Sequence, residues 1–71
     1  MKGKLQDAVS AIRRLGYSTE FVEVDEAALM IVNIPLWEAR HEPVLKAIVD
    51  SGLGVLGGFA STRGYEVVVM L

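Results

Sequence analysis

The sequence predicts an α+β domain with the element order αββαββ, folded as a four-stranded antiparallel sheet with two helices on one face. The first observation is an internal repeat, because residues 8–35 align with residues 44–71 at a constant shift and without a gap. Within each copy, a segment of helical periodicity precedes two segments of strand character. Two copies are too few for a solenoid, so we expect them to complete one core related by pseudo-twofold symmetry.

The helices are marked by apolar residues at helical spacing and by a glycine after each segment. The first is predicted over residues 4–15 and is followed by Gly16; its apolar stripe comprises Leu5, Ala8, Val9, Ile12 and Leu15. The second is closed by Gly52 and carries Val44, Leu45, Ile48 and Val49. Its start stays open, because Pro43 suits a first helical turn, whereas a helix from Glu38 would have to bend around that proline.

The strands pair as two hairpins, with turns predicted over residues 25–28 and 61–64. The repeat requires the same register in both hairpins, so that Val24 faces Leu29 in the first. Short connections and right-handed crossovers give the spatial order third, fourth, second and first strand, with the two most apolar strands in the middle. This is a ferredoxin-like topology with its first strand moved to the C-terminus.

The two faces of this sheet are both apolar. We expect the helices to cover the face carrying Val22, Val24, Leu29, Ile31, Leu56, Val67 and Val69. The opposite face would carry Phe21, Met30, Val32, Ile34, Val55, Phe59, Val68 and Met70. A solvated face should be polar, so we expect this second set to form an oligomer interface. In the alternative, one helix crosses to that face and divides the apolar residues between two thin cores.

Composition narrows the class of protein. The chain has 71 residues, which we expect to form a single domain over residues 1–71, and 52% of them are hydrophobic. So small a domain needs support from disulfides, a metal or oligomerisation. The absence of cysteine excludes disulfides, and a single histidine argues against a metal site. A net charge of −2 argues against a dedicated nucleic-acid or membrane binder, and we expect a cytoplasmic protein.

A glycine motif at residues 52–57 has the G-x-G-x-x-G spacing of dinucleotide-binding loops. That spacing binds a pyrophosphate when it follows a strand and opens a helix. Here it follows a predicted helix and enters a predicted strand. We therefore expect a helix cap at Gly52, a bulge or close approach at Gly57 and Gly58, and no cofactor.

Three further groups of residues are candidates for recognition. His41 has carboxylates nearby in the sequence and could act as a base, although an exposed helix start is the simpler interpretation. Trp37 either caps the core or anchors a partner, and Trp37, Arg40 and His41 together form the best candidate surface for a ligand or partner. Lys2, Lys4, Arg13 and Arg14 are the only basic concentration in the sequence. They form either a solvated helix face or a phosphate-contacting surface, for which Lys4, Arg13 and Arg14 are the candidate nucleic-acid contacts.

The segment from Phe21 to Val32, followed by a helix, a glycine-containing strand and an apolar last strand, resembles the C-terminal domain of bacterial arginine repressors. The resemblance covers residues 21–71 in order, and the first helix would replace the last helix of that family. It implies an oligomeric effector domain. The family binds arginine through a Gly-Asp-Asp turn before its last strand, where this chain has the acid-free turn 61–64.

These observations lead to three hypotheses. The first is a non-catalytic module that assembles with itself and with a protein partner, modulated by a small ligand. The second is a nucleic-acid-associated regulator that uses the basic first helix. The third is a small enzyme that uses His41; it ranks last because no catalytic residue set occurs at a recognisable spacing.

Overall fold

A computed structural model describes residues 3–34 and 41–71 of the chain. The elements are α1 (Gly3–Arg14), β1 (Thr19–Val24), β2 (Ala27–Val32), α2 (Glu42–Asp50), β3 (Gly54–Ser61) and β4 (Gly64–Met70). All strand pairs are antiparallel, in the order β1-β2-β4-β3. The predicted fold class, element order and strand order are confirmed.

The helices end where glycine permits a left-handed backbone. Gly16 has φ 98° and Gly52 has φ 91°, conformations that a side chain would disfavour. Pro43 lies in the first turn of α2, where its missing N–H leaves no helical hydrogen bond unmade. The start that the sequence left open is therefore at Glu42, preceded by His41 at the N-cap position.

One hydrophobic core lies between the helices and a single face of the sheet. It contains Leu5, Ala8, Val9, Ile12, Ala28, Met30, Val32, Ile34, Val44, Ile48, Leu53, Tyr65, Val67 and Val69. Each helix contributes the stripe predicted from its periodicity, except that Leu15 and Val49 are exposed. Both helices thus cover the same face. The alternative with two thin cores is wrong.

The predicted assignment of faces is wrong for β1, for β2 and for the start of β3. Phe21, Met30, Val32, Ile34 and Val55 were expected on the uncovered face, yet the structure buries Met30, Val32 and Ile34 in the core and packs Phe21 and Val55 against it. Conversely, Val22, Val24, Leu29, Ile31 and Leu56 are not in the core. Val67 and Val69 are covered by the helices as expected.

A β-bulge explains this error. The register of β3 against β4 shifts between Val55 and Gly57, which leaves Leu56 as an extra residue in β3. Before the bulge, a spacing of 36 residues relates Thr19 to Val55, and both face the helices. After the bulge, the helix-facing residues of the two copies are 37 residues apart, as Met30 and Val67 are. A one-residue slip moves every side chain to the other face, so the ungapped alignment inverted β1 and β2.

The first hairpin is also tighter than predicted. Val24 pairs with Ala27 and Val22 with Leu29, so the turn is centred on Asp25 and Glu26. Asp25 has φ 55°, the left-handed conformation that tight hairpin turns require. The second hairpin has the predicted register, in which Phe59 pairs with Glu66 and Ala60 with Tyr65.

Among residues 3–34 and 41–71, no helix is both long enough and apolar enough to cross a lipid bilayer.

Candidate assembly surface

The sheet face turned away from the helices, here called the open face, has three rows of side chains set by the strand register. The polar row contains Glu20 of β1, Ile31 of β2, Glu66 of β4 and Phe59 of β3. The middle row contains Val22, Leu29, Val68 and Gly57, and the far row contains Val24, Ala27, Met70 and Gly54. Two of the three rows thus carry no polar side chain.

Several apolar side chains of the open face are accessible to solvent, whereas Ala27, Leu29, Ile31 and Val68 are half-buried. Val22 is 57% exposed, Val24 61%, Phe59 54% and Met70 50%. Leu56, the extra residue of the bulge, is 59% exposed. None of the described elements packs on this side of the sheet. A central patch of Val, Leu and Met on so small a domain is typical of an interaction surface rather than of a solvated face.

The polar row includes an ion pair beside the β3–β4 turn. The Arg63 guanidinium donates to Glu66 Oε1 at 3.1 Å. The Glu66 side chain is only 5% exposed, whereas that of Arg63 is 65% exposed. Arg63 therefore compensates a carboxylate that has lost most of its water, while most of its own side chain stays accessible.

A cleft of about 370 Å³ lies next to this ion pair and brings Arg63 together with the start of β1. Its lining consists of Ser18, Thr19, Glu20, Ile31, Asn33 and Arg63. Backbone and side-chain hydrogen bonds fix the β1 side, since Asn33 N donates to Ser18 O at 2.9 Å and Thr19 Oγ1 to Ile31 O at 3.1 Å. The cleft thus has a carboxylate at one wall and a guanidinium at the other.

The residues predicted for an oligomer interface divide between the two faces. Phe59, Val68 and Met70 lie on the open face, and their role in an interface stays a prediction. Sequence reasoning missed Val22, Val24, Leu29 and Ile31, which occupy the corresponding positions on β1 and β2. The consecutive glycines after Leu56 were recognised as a bulge signal. Allowing one inserted residue there would have placed these four correctly.

The predicted partner surface is only partly described. Trp37 and Arg40 lie outside the described residues. His41 is half-buried, and its ring stacks on that of Tyr65 with 4.2 Å between centroids and 10° between planes. This stack packs the N-terminus of α2 against β4, which gives His41 a structural role whether or not it has a chemical one. No group of three or more potential metal ligands occurs within the described ranges.

The basic residues of α1 do not form one surface. Lys4 and Arg13 are nine residues apart, about two and a half turns, and so project from opposite sides of the helix. The aliphatic part of Lys4 lies against Gly52. Arg14 lines a groove between the helices together with Lys46, Asp7 and Asp50. A phosphate backbone would meet two carboxylates beside these two cations.

The glycine motif is placed as the sequence predicted. Gly52 follows α2, and Gly54 and Gly57 belong to β3, so the segment joins a helix to a strand. Gly58 allows close packing, because a Cβ at this position would lie 2.7 Å from the Tyr65 hydroxyl.

Comparisons with protein families, with curated proteins and with solved structures found no match to this chain.

Proposed function

We propose that this protein is an assembly module that associates with a second copy of itself through the open face. The observation that supports the proposal is the set of accessible apolar side chains in the middle and far rows, together with Phe59. They lie on one side of a sheet whose other side packs against the helices to form the core of the described residues. The protein partner and the small ligand expected from the sequence remain predictions, and the proposal does not depend on them.

The size of the domain gives association a thermodynamic reason. A chain of 71 residues buries only about 60% of the surface that it exposes when unfolded, so its own core provides limited stability. Each square ångström of apolar surface removed from water contributes about 25 cal/mol. Covering the open face would therefore add several kcal/mol in favour of the assembled state, which a monomer forgoes.

A matched pair of substitutions tests the proposal. Val22, on the open face, is 57% exposed, and Val49, on α2, is 55% exposed. Val22→Glu would place a carboxylate in a desolvated interface in each protomer. We expect its dimer dissociation constant to rise at least about a hundredfold. Val49→Glu makes the same chemical change at the same exposure but away from the interface, and should change the constant less than about threefold.

Sedimentation velocity over a concentration series measures both variants and the wild type, and circular dichroism establishes that each is folded. A wild-type chain that stays monomeric at high micromolar concentration would refute the proposal. Equal effects of Val22→Glu and Val49→Glu would refute the assignment to the open face.

Neither alternative hypothesis gains comparable support. The separation of Lys4 from Arg13, and the acidic neighbours of Arg14, disfavour a nucleic-acid regulator built on α1. An enzyme that uses His41 is also disfavoured. The His41 ring is stacked on Tyr65, and no contact between His41 and a nucleophile occurs among the described residues.

A further inference from the structure

We infer that the edge strand β3 pairs antiparallel with β3 of a second copy, so that two sheets join edge to edge with Phe59 of one copy beside Phe59 of the other. This contact is distinct from the open-face contact. The inference rests on the proposed function, because it describes how chains that associate through the open face assemble further.

The two edges of the sheet differ in how well they are protected. The outer strands are β1 and β3. The six residues of β1 include Glu20 and Glu23, and charged side chains on an edge strand oppose pairing with another chain. The eight residues of β3 include no charged residue and no proline, and the five residues from Leu56 to Ala60 are all exposed. The bulge lies in the first half of β3, so the second half is available for pairing.

The second half of β3 presents backbone groups that suit a further strand. Ser61 and Gly64 flank a two-residue turn, which makes them a hydrogen-bonded pair. Such pairs alternate along an antiparallel ladder, so Phe59 also bonds to β4, whereas Gly58 and Ala60 direct their N–H and C=O groups away from it. Within residues 3–34 and 41–71, no strand lies on that side of β3. A second strand would supply hydrogen-bond partners for these groups.

One register uses all of these backbone groups. When Gly58 of each copy lies opposite Ala60 of the other, two hydrogen-bonded pairs form about a twofold axis perpendicular to the sheet. Displacing the strands by two residues in either direction pairs Gly58 or Ala60 with its own copy. The other residue would then face the bulge or the turn. The symmetric register is therefore the one that satisfies most backbone groups.

Phe59 lies at the centre of this register. It faces its own copy as a non-hydrogen-bonded pair, with Cα atoms about 4.5 Å apart. Both rings lie on the open face and each is 54% exposed, so their contact removes apolar surface from water. Arg63, in the adjoining turn, lies at opposite ends of the strand pair in the two copies, so the cations do not repel each other. Pairing β3 with β1 would instead be head-to-tail and would continue into a filament.

The area of the open face gives the edge contact a reason. Four strands about 4.8 Å apart, each with about six residues rising about 3.3 Å, give roughly 400 Å² of projected area per copy. Allowing for side-chain corrugation, two single copies would bury on the order of 1,000 Å², which is at the small end of specific interfaces. An edge pair presents a continuous face of twice that area, and two such faces would bury on the order of 2,000 Å², within the range of stable complexes. The strand pair alone is smaller, so we expect it to be the weaker of the two contacts.

Disulfide formation tests the register, because the chain has no native cysteine. In Phe59→Cys, the two Cα atoms would be about 4.5 Å apart, within the range that a disulfide spans. Leu56→Cys is the matched control, since Leu56 is 59% exposed on the same strand. In this register the two copies of Leu56 are roughly 20 Å apart. With oxidised glutathione as the electron acceptor, we expect Phe59→Cys to yield at least about tenfold more disulfide-linked dimer than Leu56→Cys. Equal yields, or no linked product from Phe59→Cys in a sample that sedimentation shows to be associated, would overturn the inference.

A proline substitution distinguishes the edge from the open face as the source of the cross-link. Ala60→Pro removes an N–H that does not bond to β4, so it preserves the chain's own sheet and removes a hydrogen bond to a second strand. Adding Ala60→Pro to Phe59→Cys should lower the yield of linked dimer at least about tenfold, with circular dichroism establishing the fold. A cross-link that survives the proline would come from the open-face contact and would overturn the edge inference alone.

The comparison of Phe59→Cys with Leu56→Cys decides the inference whether or not the proline variant folds. A wild-type chain that stays monomeric at high micromolar concentration would refute the open-face association and, with it, the larger assembly. A wild-type chain that associates while Phe59→Cys gives no linked product would refute only the edge contact.

Discussion

Truncating two methionines on opposite faces of the sheet tests the face assignment quantitatively. Met30 in β2 is fully buried and Met70 in β4 is 50% exposed, although the ungapped repeat placed both on the uncovered face. Met30→Ala removes a buried side chain and leaves a cavity, which costs about 2–5 kcal/mol. Met70→Ala loses only part of its apolar contact and leaves no cavity, so its cost in the monomer should stay below about 1 kcal/mol.

These differences are large for so small a domain. At about 0.05–0.15 kcal/mol per residue, a 71-residue chain has a total stability of roughly 4–11 kcal/mol. A loss of 1 kcal/mol lowers the melting midpoint of such a domain by about 4–8 °C. We therefore expect Met30→Ala to lower the melting midpoint by at least about 8 °C. If the loss of unfolding free energy is near 5 kcal/mol, the variant should be partly unfolded at ambient temperature.

Thermal melts followed by circular dichroism measure both variants. The protein concentration should be well below the wild-type dissociation constant, so that association does not contribute to the midpoint. At higher concentration, Met70→Ala should also lose part of the concentration-dependent rise in the midpoint, because it removes contact area from the open face. Equal destabilisation by Met70→Ala and Met30→Ala in the dilute melt would refute the assignment of these two residues to opposite faces of the sheet.

Two glycine substitutions test the close approaches that shape the second hairpin. Gly64 has φ 131°, and a Cβ there would collide with the carbonyl oxygen of Val32, so Gly64→Ala should cost at least about 1–3 kcal/mol in urea unfolding. Gly58→Ala should displace the Tyr65 ring and cost about 1–3 kcal/mol, with a change in the ring-proton shifts of His41. Gly57→Ala is the control for both, because no atom of the described residues lies within 4 Å of its added Cβ; equal losses in all three variants would show that these close approaches do not limit stability.

The element order could be predicted because it depends on local signals in the sequence, and the strand order because short connections and right-handed crossovers leave few arrangements. Gly16 and Gly52 mark the helix ends, and the stripes around Ala8 and Ile48 define the helical faces. The β3–β4 register was also predictable, since the turn over residues 61–64 contains a glycine at the position where the structure has a positive φ.

The faces of β1 and β2 could not be read from hydrophobic alternation alone, because β2 is apolar on both sides and β1 carries one glutamate on each face. Their assignment depended on the repeat, and the repeat conceals the single inserted residue at Leu56. The polar end of the open face was missed for a different reason. Arg63 and Glu20 are far apart in the chain, and only the strand order brings them to one cleft.

Intermolecular nuclear Overhauser effects measure whether two copies meet through the open face. A sample mixing uniformly ¹³C-labelled and unlabelled chains, at a concentration where sedimentation detects the dimer, reports only contacts between copies. We expect cross-peaks from Leu29, Val68 and Phe59, and none from Leu5 or Val44 in the helix-covered core. Intermolecular cross-peaks confined to residues of α1 and α2, with none from the open face, would rule out association through this face.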